Sequence, residues 1–346
     1  MPVNMTTTRL NVLLLISDDL RPDLGIYGGP AITPNLDRLA DSTGAVRFTR
    51  AYVQQAICCP SRSSFLLGRR PDTTRVWDLK TQFRDTAGAS EWKTLPQLFK
   101  DRGYFTSGMG KVFHPLNWHG ESDDRISWTN GSYFQPTGGI DRERPLATIN
   151  CTSPEATQDD DLYSDGKTAV HAVKVLRNAA SMSSPFFIAV GLHRPHLPWV
   201  VPSKYFEHYQ HVDLADHRVP PRDYNATGAQ AYSWDPQSGP RHCQPLRSQT
   251  QGSTPALPEY GLVDDATARS FRQGYWAAVS QMDRNVGVVL AELDALRLTA
   301  TTVVCFLGDH GWQLGDLGEC THAAAWTRTH PMAPPVPSSL DHQVPA

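Results

Sequence analysis

Three short apolar runs recur along the chain, at 11–16, 185–191 and 301–307, and each stops abruptly at residues that carry chemistry. A continuous apolar run of this length, closed by polar or turn residues, suits a strand buried on both faces of a parallel sheet. Helical patterns separate the runs, so the expected class is α/β, with a mostly parallel central sheet and helices on both faces. With 346 residues the chain is long enough to bury one substantial core of this kind. In such sheets ligands sit outside the carboxyl ends of the strands. Asp18 and Asp19 follow the first run, His193, Arg194 and His196 follow the second, and Asp309 and His310 follow the third. A fourth strand, at 104–108, leads to Lys111 and His114.

The helices are legible by spacing and caps. Residues 33–40 start with a Thr33 cap and a proline at the first helical position. Residues 94–101 form a helix closed by Gly103, and 166–179 form another. The longest periodic segment, 266–296, places Phe271, Tyr275, Ala278, Val279, Met282, Val286, Val289, Leu290 and Leu293 on one face. Two polar, Gly- and Pro-rich stretches, 117–161 and 199–262, read as long excursions, the second forming a wall around a cleft.

The motif Cys58-Cys59-Pro60-Ser61-Arg62 has the pattern of a reactive loop feeding a helix, with the proline at its first position. Taken alone, a Cys-Pro pair is an ordinary buried cysteine. The helix dipole and Arg62 both favour an anion at residue 58. Asp18, Asp19, Asp309 and His310, three carboxylates and one imidazole, suit a hard divalent cation such as Ca²⁺ or Mg²⁺ better than zinc.

Composition excludes some classes. The net charge of -3 argues against nucleic acid as a partner. No apolar run approaches the ~18 residues of a membrane span. The run at 10–16 is too short for a signal-peptide core, so the chain as given has no export signal. Four Asn-x-Ser/Thr sequons, at Asn4, Asn130, Asn150 and Asn225, instead suit a secretory protein, and the N-terminus is expected to be incomplete. Six cysteines show neither zinc spacing nor a disulfide framework.

The ordered series Asn11 to Pro22, Cys58-Cys-Pro-Ser-Arg62 with Gly68-Arg-Arg-Pro-Asp-Thr-Thr-Arg75, Gly110-Lys-Val-Phe-His-Pro115, Gly191-Leu-His-Arg-Pro-His196 and Asp309-His-Gly-Trp312 resembles the type I sulfatase family. The resemblance implies an alkaline-phosphatase-like fold and hydrolysis of sulfuric esters. It implies that Cys58 is oxidised by the formylglycine-generating enzyme to a formylglycine nucleophile that also touches the metal. The other implied ligands of Ca²⁺ (Mg²⁺ as the variant) are Asp18, Asp19, Asp309 and His310. Arg62, Lys111, His114 and His196 match sulfate-handling and proton-transfer positions. Within the family, the motifs look like the branch acting on 2-O-sulfated iduronate of heparan or dermatan sulfate, a sulfated glycosaminoglycan. An upstream signal peptide would make the protein lysosomal or secreted.

The same reading divides the chain into an N-terminal extension (1–9), a sulfatase catalytic domain (10–319) and an unrelated, Pro- and Ala-rich tail (320–346). It expects a truncated or frame-shifted form with the C-terminal subdomain missing, and His322 where the family has a second sulfate-contacting lysine. Two alternatives stay open: a phosphatase or phosphodiesterase of the same superfamily, whose nucleophile is Ser or Thr, and a catalytically inactive sulfatase-like protein. The cluster Arg69, Arg70, Arg75 and Lys80 has two readings also, a polyanion attractor or a solvated helix face.

Overall fold

The computed structural model describes residues 9–115, 125–133, 152–155, 158–211, 265–312 and 314. Its centre is a five-stranded parallel sheet made of β1 (Asn11–Ser17), β2 (Phe105–Gly110), β3 (Ser132–Tyr133), β5 (Phe186–Leu192) and β7 (Thr302–Gly308). Their order is β3-β2-β5-β1-β7. β1 therefore lies between β5 and β7, with Leu14 in register with Ala189 on one side and Cys305 on the other. Parallel neighbours require crossovers, and the helices supply them. They are α1 (Pro34–Ala40), α2 (Cys58–Leu67), α3 (Pro71–Thr74), α4 (Leu95–Lys100), α5 (Ser164–Ala180), α6 (Ser203–Glu207) and α7 (Asp265–Ala295). A separate two-stranded sheet pairs β4 (Thr152–Glu155) with β6 (Trp199–Pro202).

The alternation of side chains along β1 divides the core in two. Leu13 and Leu15 face one cluster, with Ala172 and Leu176 of α5 and Tyr275, Val279 and Met282 of α7. Leu14 and Ile16 face the other, with Leu66 and Leu67 of α2, Phe113 and Trp128. Both faces of the central strands are covered, which explains why they read as unbroken apolar runs. Trp128 packs against Gly108, where a Cβ would stand 2.4 Å from the indole. Only glycine leaves room for that ring.

Several expectations need correction. β2 runs to Gly110, two residues past its expected end. Thr33 does not cap α1 with its side chain; its hydroxyl accepts from the Gly25 N–H and donates to Asp37 Oδ1. The first-turn amides of Asn35 and Leu36 donate instead to the Asp283 carboxylate of α7, at 3.0 and 2.8 Å. A distant acid thus does what a local cap ordinarily does. The stretch from 199 is not wholly irregular, since it opens with β6 and α6, and the excursion from 117 contains β3 and β4. The rest of those stretches, the tail 320–346, and His322 lie outside the described residues. Among the described residues, no helix is long and apolar enough to cross a membrane.

Candidate active site

Cys58 is the first residue of α2, preceded by Ile57 in extended conformation. The sequence reading puts Pro60 at the first helical position; it stands third, still within the turn whose N–H groups have no intrahelical acceptor. Ser61 makes the first helical bond, back to the Ile57 carbonyl at 3.0 Å. This start of α2 points its N-terminus at the carboxyl ends of β1 and β7.

β1 delivers Asp18 and Asp19, both fully buried. Asp19 has φ 59°, in the left-handed region that costs a non-glycine residue about 1 kcal/mol or more. Three bonds hold it there, and a fourth fixes the last of their partners. Its N–H donates to Asp309 Oδ1 at 2.8 Å, and its carboxylate accepts from Trp312 Nε1 at 2.6 Å. Its carbonyl accepts from the Tyr275 hydroxyl at 2.7 Å, and that hydroxyl in turn accepts from the Arg21 N–H at 2.9 Å.

β7 delivers Asp309 and His310. The Asp309 N–H donates to the Ser17 carbonyl at 3.3 Å, and its own carbonyl accepts from Ser61 Oγ at 2.6 Å. Around the Cys58 sulfur stand His310 Nε2 at 3.1 Å, Lys111 Nζ at 3.4 Å, Asp18 Oδ1 at 3.5 Å and Asp19 Oδ1 at 3.9 Å. One donor atom each from Asp18, Cys58, Asp309 and His310 falls within 4.8 Å of the others, and so does one each from Asp18, Asp19, Cys58 and His196.

The charges are unequal. Three carboxylates face two fixed cations, Arg62 and Lys111. Arg62 is buried and its fork is fully used: Nε donates to Asp309 Oδ2 at 2.8 Å, Nη2 to Asp18 Oδ1 at 3.1 Å, and Nη1 to the Lys111 and Val112 carbonyls. Lys111 Nζ donates to Asp18 Oδ2. Burial alone raises a carboxyl pKa, but Lys111 and Arg62 outweigh it at Asp18 and hold its pKa well below the usual range. At Asp309 burial prevails over Arg62 and the pKa goes up.

The thiol corrects a local argument. Helix dipole and guanidinium favour a thiolate, yet burial and the Asp18 charge push the Cys58 pKa well up. The unmodified side chain is a neutral thiol, a poor nucleophile. His114 is neutral as well: burial and the Lys111 charge lower it to about 3.

All the expected residues come to this one edge of the sheet, but their surroundings differ from expectation for Arg62. The sequence assigns it to an anionic substrate, whereas its guanidinium is committed to the carboxylates and to the backbone after β2. His196 stands 4.0 Å from Asp19 Oδ2. Sequence reasoning left His193 unassigned, though its Nδ1 is 3.8 Å from Asp18 Oδ2 and its ring lies 4.5 Å from that of His196. The loop is clamped by Asp165 in the first turn of α5, whose carboxylate accepts from the His193 and Arg194 N–H groups at 2.7 and 2.8 Å. An acid beginning the helix before that strand was the one available signal. The donor set, buried oxygens with one imidazole and a surplus of negative charge, fits a hard divalent cation.

Residues 10–338 match the model of the sulfatase family, running past residue 319, the expected end of the catalytic domain. The iduronate 2-sulfatases of Mus musculus and Homo sapiens are each 37% identical over 329 residues, covering 91% of this chain and 57% of the relative. Arylsulfatase K of Bos taurus is 26% identical over 304 residues, 87% of this chain and 52% of the relative. The chain therefore spans little more than half the length of the curated relatives it matches. Among solved structures, a phosphonate monoester hydrolase from Silicibacter pomeroyi superposes with TM-score 0.62 at 21% identity, covering 92% of this chain and 66% of the other. A 2-O GAG sulfatase gives TM-score 0.59 at 18% identity, covering 90% and 60%. At these identities the likeness speaks for the fold.

Proposed function

The chain belongs to the sulfatase family, and on that premise we propose that it is a sulfuric ester hydrolase that removes 2-O-sulfate from iduronate of heparan or dermatan sulfate. The observation that carries the reading is the placement of Cys58: a buried side chain at a helix start, within 3.9 Å of two aspartates, a lysine and a histidine. Asp18, Asp19, Asp309 and His310 would hold a Ca²⁺ or Mg²⁺ ion, with residue 58 beside it. That ion supplies positive charge for a sulfate oxygen and favours ionisation of a neighbouring hydroxyl. Conversion of Cys58 to formylglycine supplies a hydrated aldehyde where the native thiol is neutral and unreactive.

The remaining work falls to the chain's own side chains. Lys111 is positioned to donate to a sulfate oxygen, since its ammonium already lies 3.4 Å from the Cys58 sulfur. His196, the more open of the paired histidines, is placed to pass a proton at the mouth of the site. His114, neutral at physiological pH, gives or accepts a hydrogen bond without adding charge. Arg62 holds Asp18 and Asp309 apart and oriented. Asn130, in one of the sequons, is exposed, which agrees with a glycosylated lysosomal or secreted protein.

The test is to express the chain behind a secretion signal in a secretory eukaryotic host and measure the mass of the peptide containing residue 58, then aryl sulfate and aryl phosphate turnover. The expected result is an aldehyde at residue 58, turnover of the sulfate ester in preference to the phosphate, and loss of both in Cys58→Ala. An intact thiol in secreted protein, or preference for phosphate, overturns the reading.

A further inference from the structure

The loop after α3 displays an indole to solvent. Trp77 is 53% exposed, although Val76 beside it is fully buried in the cluster that also holds Val112 and Phe113. The loop is braced rather than slack. Its Trp77 carbonyl accepts from Gln55 Nε2 at 3.0 Å, and the Thr81 carbonyl faces Cys59 Sγ at 3.6 Å. Asp78 Oδ1 accepts from the Lys80 and Thr81 N–H groups at 2.8 and 2.7 Å, closing a tight turn. The tethers at Gln55 and Cys59 flank Cys58, and Val76 packs with the residues between Lys111 and His114. The indole therefore stands on a fixed wall beside the start of α2.

The cationic cluster of the sequence divides here into two groups. Arg69 lies over the Trp92 ring at 5.5 Å, and its Nη1 donates to the Leu67 carbonyl. Arg70, Arg75 and Lys80 are exposed and make no ion pair among the described residues. Of the acids nearby, Asp78 has its carboxylate turned to the backbone of its own loop. Arg70, Arg75 and Lys80 are thus exposed cations within seven residues of the exposed indole, and the charge of Lys80 helps the Lys80 and Thr81 N–H groups, the larger cause, hold the Asp78 carboxyl below its usual range.

We infer that Trp77 is the stacking platform for the sugar next to the one that carries the scissile sulfate, with Arg70, Arg75 and Lys80 receiving the sulfate groups of that flanking sugar. The inference rests on the sulfatase reading and adds to it a subsite for a chain rather than a single residue. The C–H face of a pyranose is apolar and matches an indole, while its equatorial anionic groups project outward to the cations around the ring. A guanidinium fork pairs with a sulfate or carboxylate at two points.

The experiment uses the full chain and its Trp77→Ala and Trp77→Phe variants, with an aryl sulfate and a heparin-derived tetrasaccharide ending in 2-O-sulfated iduronate as substrates. The expected result is a fall of about tenfold in the tetrasaccharide-to-aryl-sulfate ratio of kcat/KM for Trp77→Ala, the effect of uncovering part of one aromatic face, and partial recovery in Trp77→Phe. Tetrasaccharide affinity is measured in parallel by calorimetry, with thermal melting to confirm that each variant folds. An unchanged ratio together with unchanged affinity overturns the inference. If neither substrate is turned over, the sulfatase reading fails by itself, and a weaker tetrasaccharide affinity in Trp77→Ala still upholds the platform.

Discussion

β5 and β7 are the two neighbours of β1, equally apolar in sequence and equally long, yet they live in different surroundings. Every residue of β5 is buried, whereas none of β7 is. Val303 is 43% exposed and Val190 not at all. The order is reversed at their carboxyl ends. The histidines that follow β5 remain partly open, while Asp309 and His310 after β7 are buried. A strand that is at the edge among the described residues can therefore end in the most enclosed part of a site, provided its end is fastened by something besides the sheet. Here the fastening is side-chain chemistry from α2, Ser61 and Arg62 on Asp309, added to one backbone bond from its N–H to the Ser17 carbonyl of β1.

The comparison breaks most sharply at Arg62. Replacing it with leucine leaves two buried carboxylates without their shared cation, and the expected loss is about 3–5 kcal/mol in urea unfolding. A loss under about 1 kcal/mol would mean that β7 holds its own end. A matched pair then measures the two strand bodies. Val190→Thr puts a hydroxyl into a dry core and is expected to cost about 1–3 kcal/mol. Val303→Thr keeps a β-branched residue on a half-open strand, and its expected effect lies within about 0.5 kcal/mol by the same denaturation measurement. Equal costs in the pair would remove the distinction between the strands.

Nothing in the residues of β7 announces an edge. Its run Thr302–Gly308 has the β-branched, apolar content of a central strand, and its place depends on which strand pairs beyond it. What the sequence does carry is the end of each strand: Asp18, Asp19, Lys111, His196, Asp309 and His310 lie at one sheet edge because parallel strands all point their carboxyl ends the same way. The character of Cys58 is illegible for a related reason. Its helix dipole and Arg62 are visible within five residues, but the carboxylates that overrule them arrive from positions 40 residues before and some 250 after. The cap on α1 belongs to the same class, because Asp283 is 248 residues from Asn35. Local rules succeed in this chain wherever the partner is local.

The pairing of Cys58 with His310 across 252 residues also orders events in time. During synthesis the sulfur-bearing turn leaves the ribosome long before the strand that will wall it in. At ~5–20 residues per second the interval is roughly 10–50 s. A contact of such high order closes late in folding. Once closed, it leaves Cys58 3% exposed. If Cys58 is converted as proposed, the growing chain is the state in which an enzyme reaches that side chain most readily, before β7 arrives to cover it.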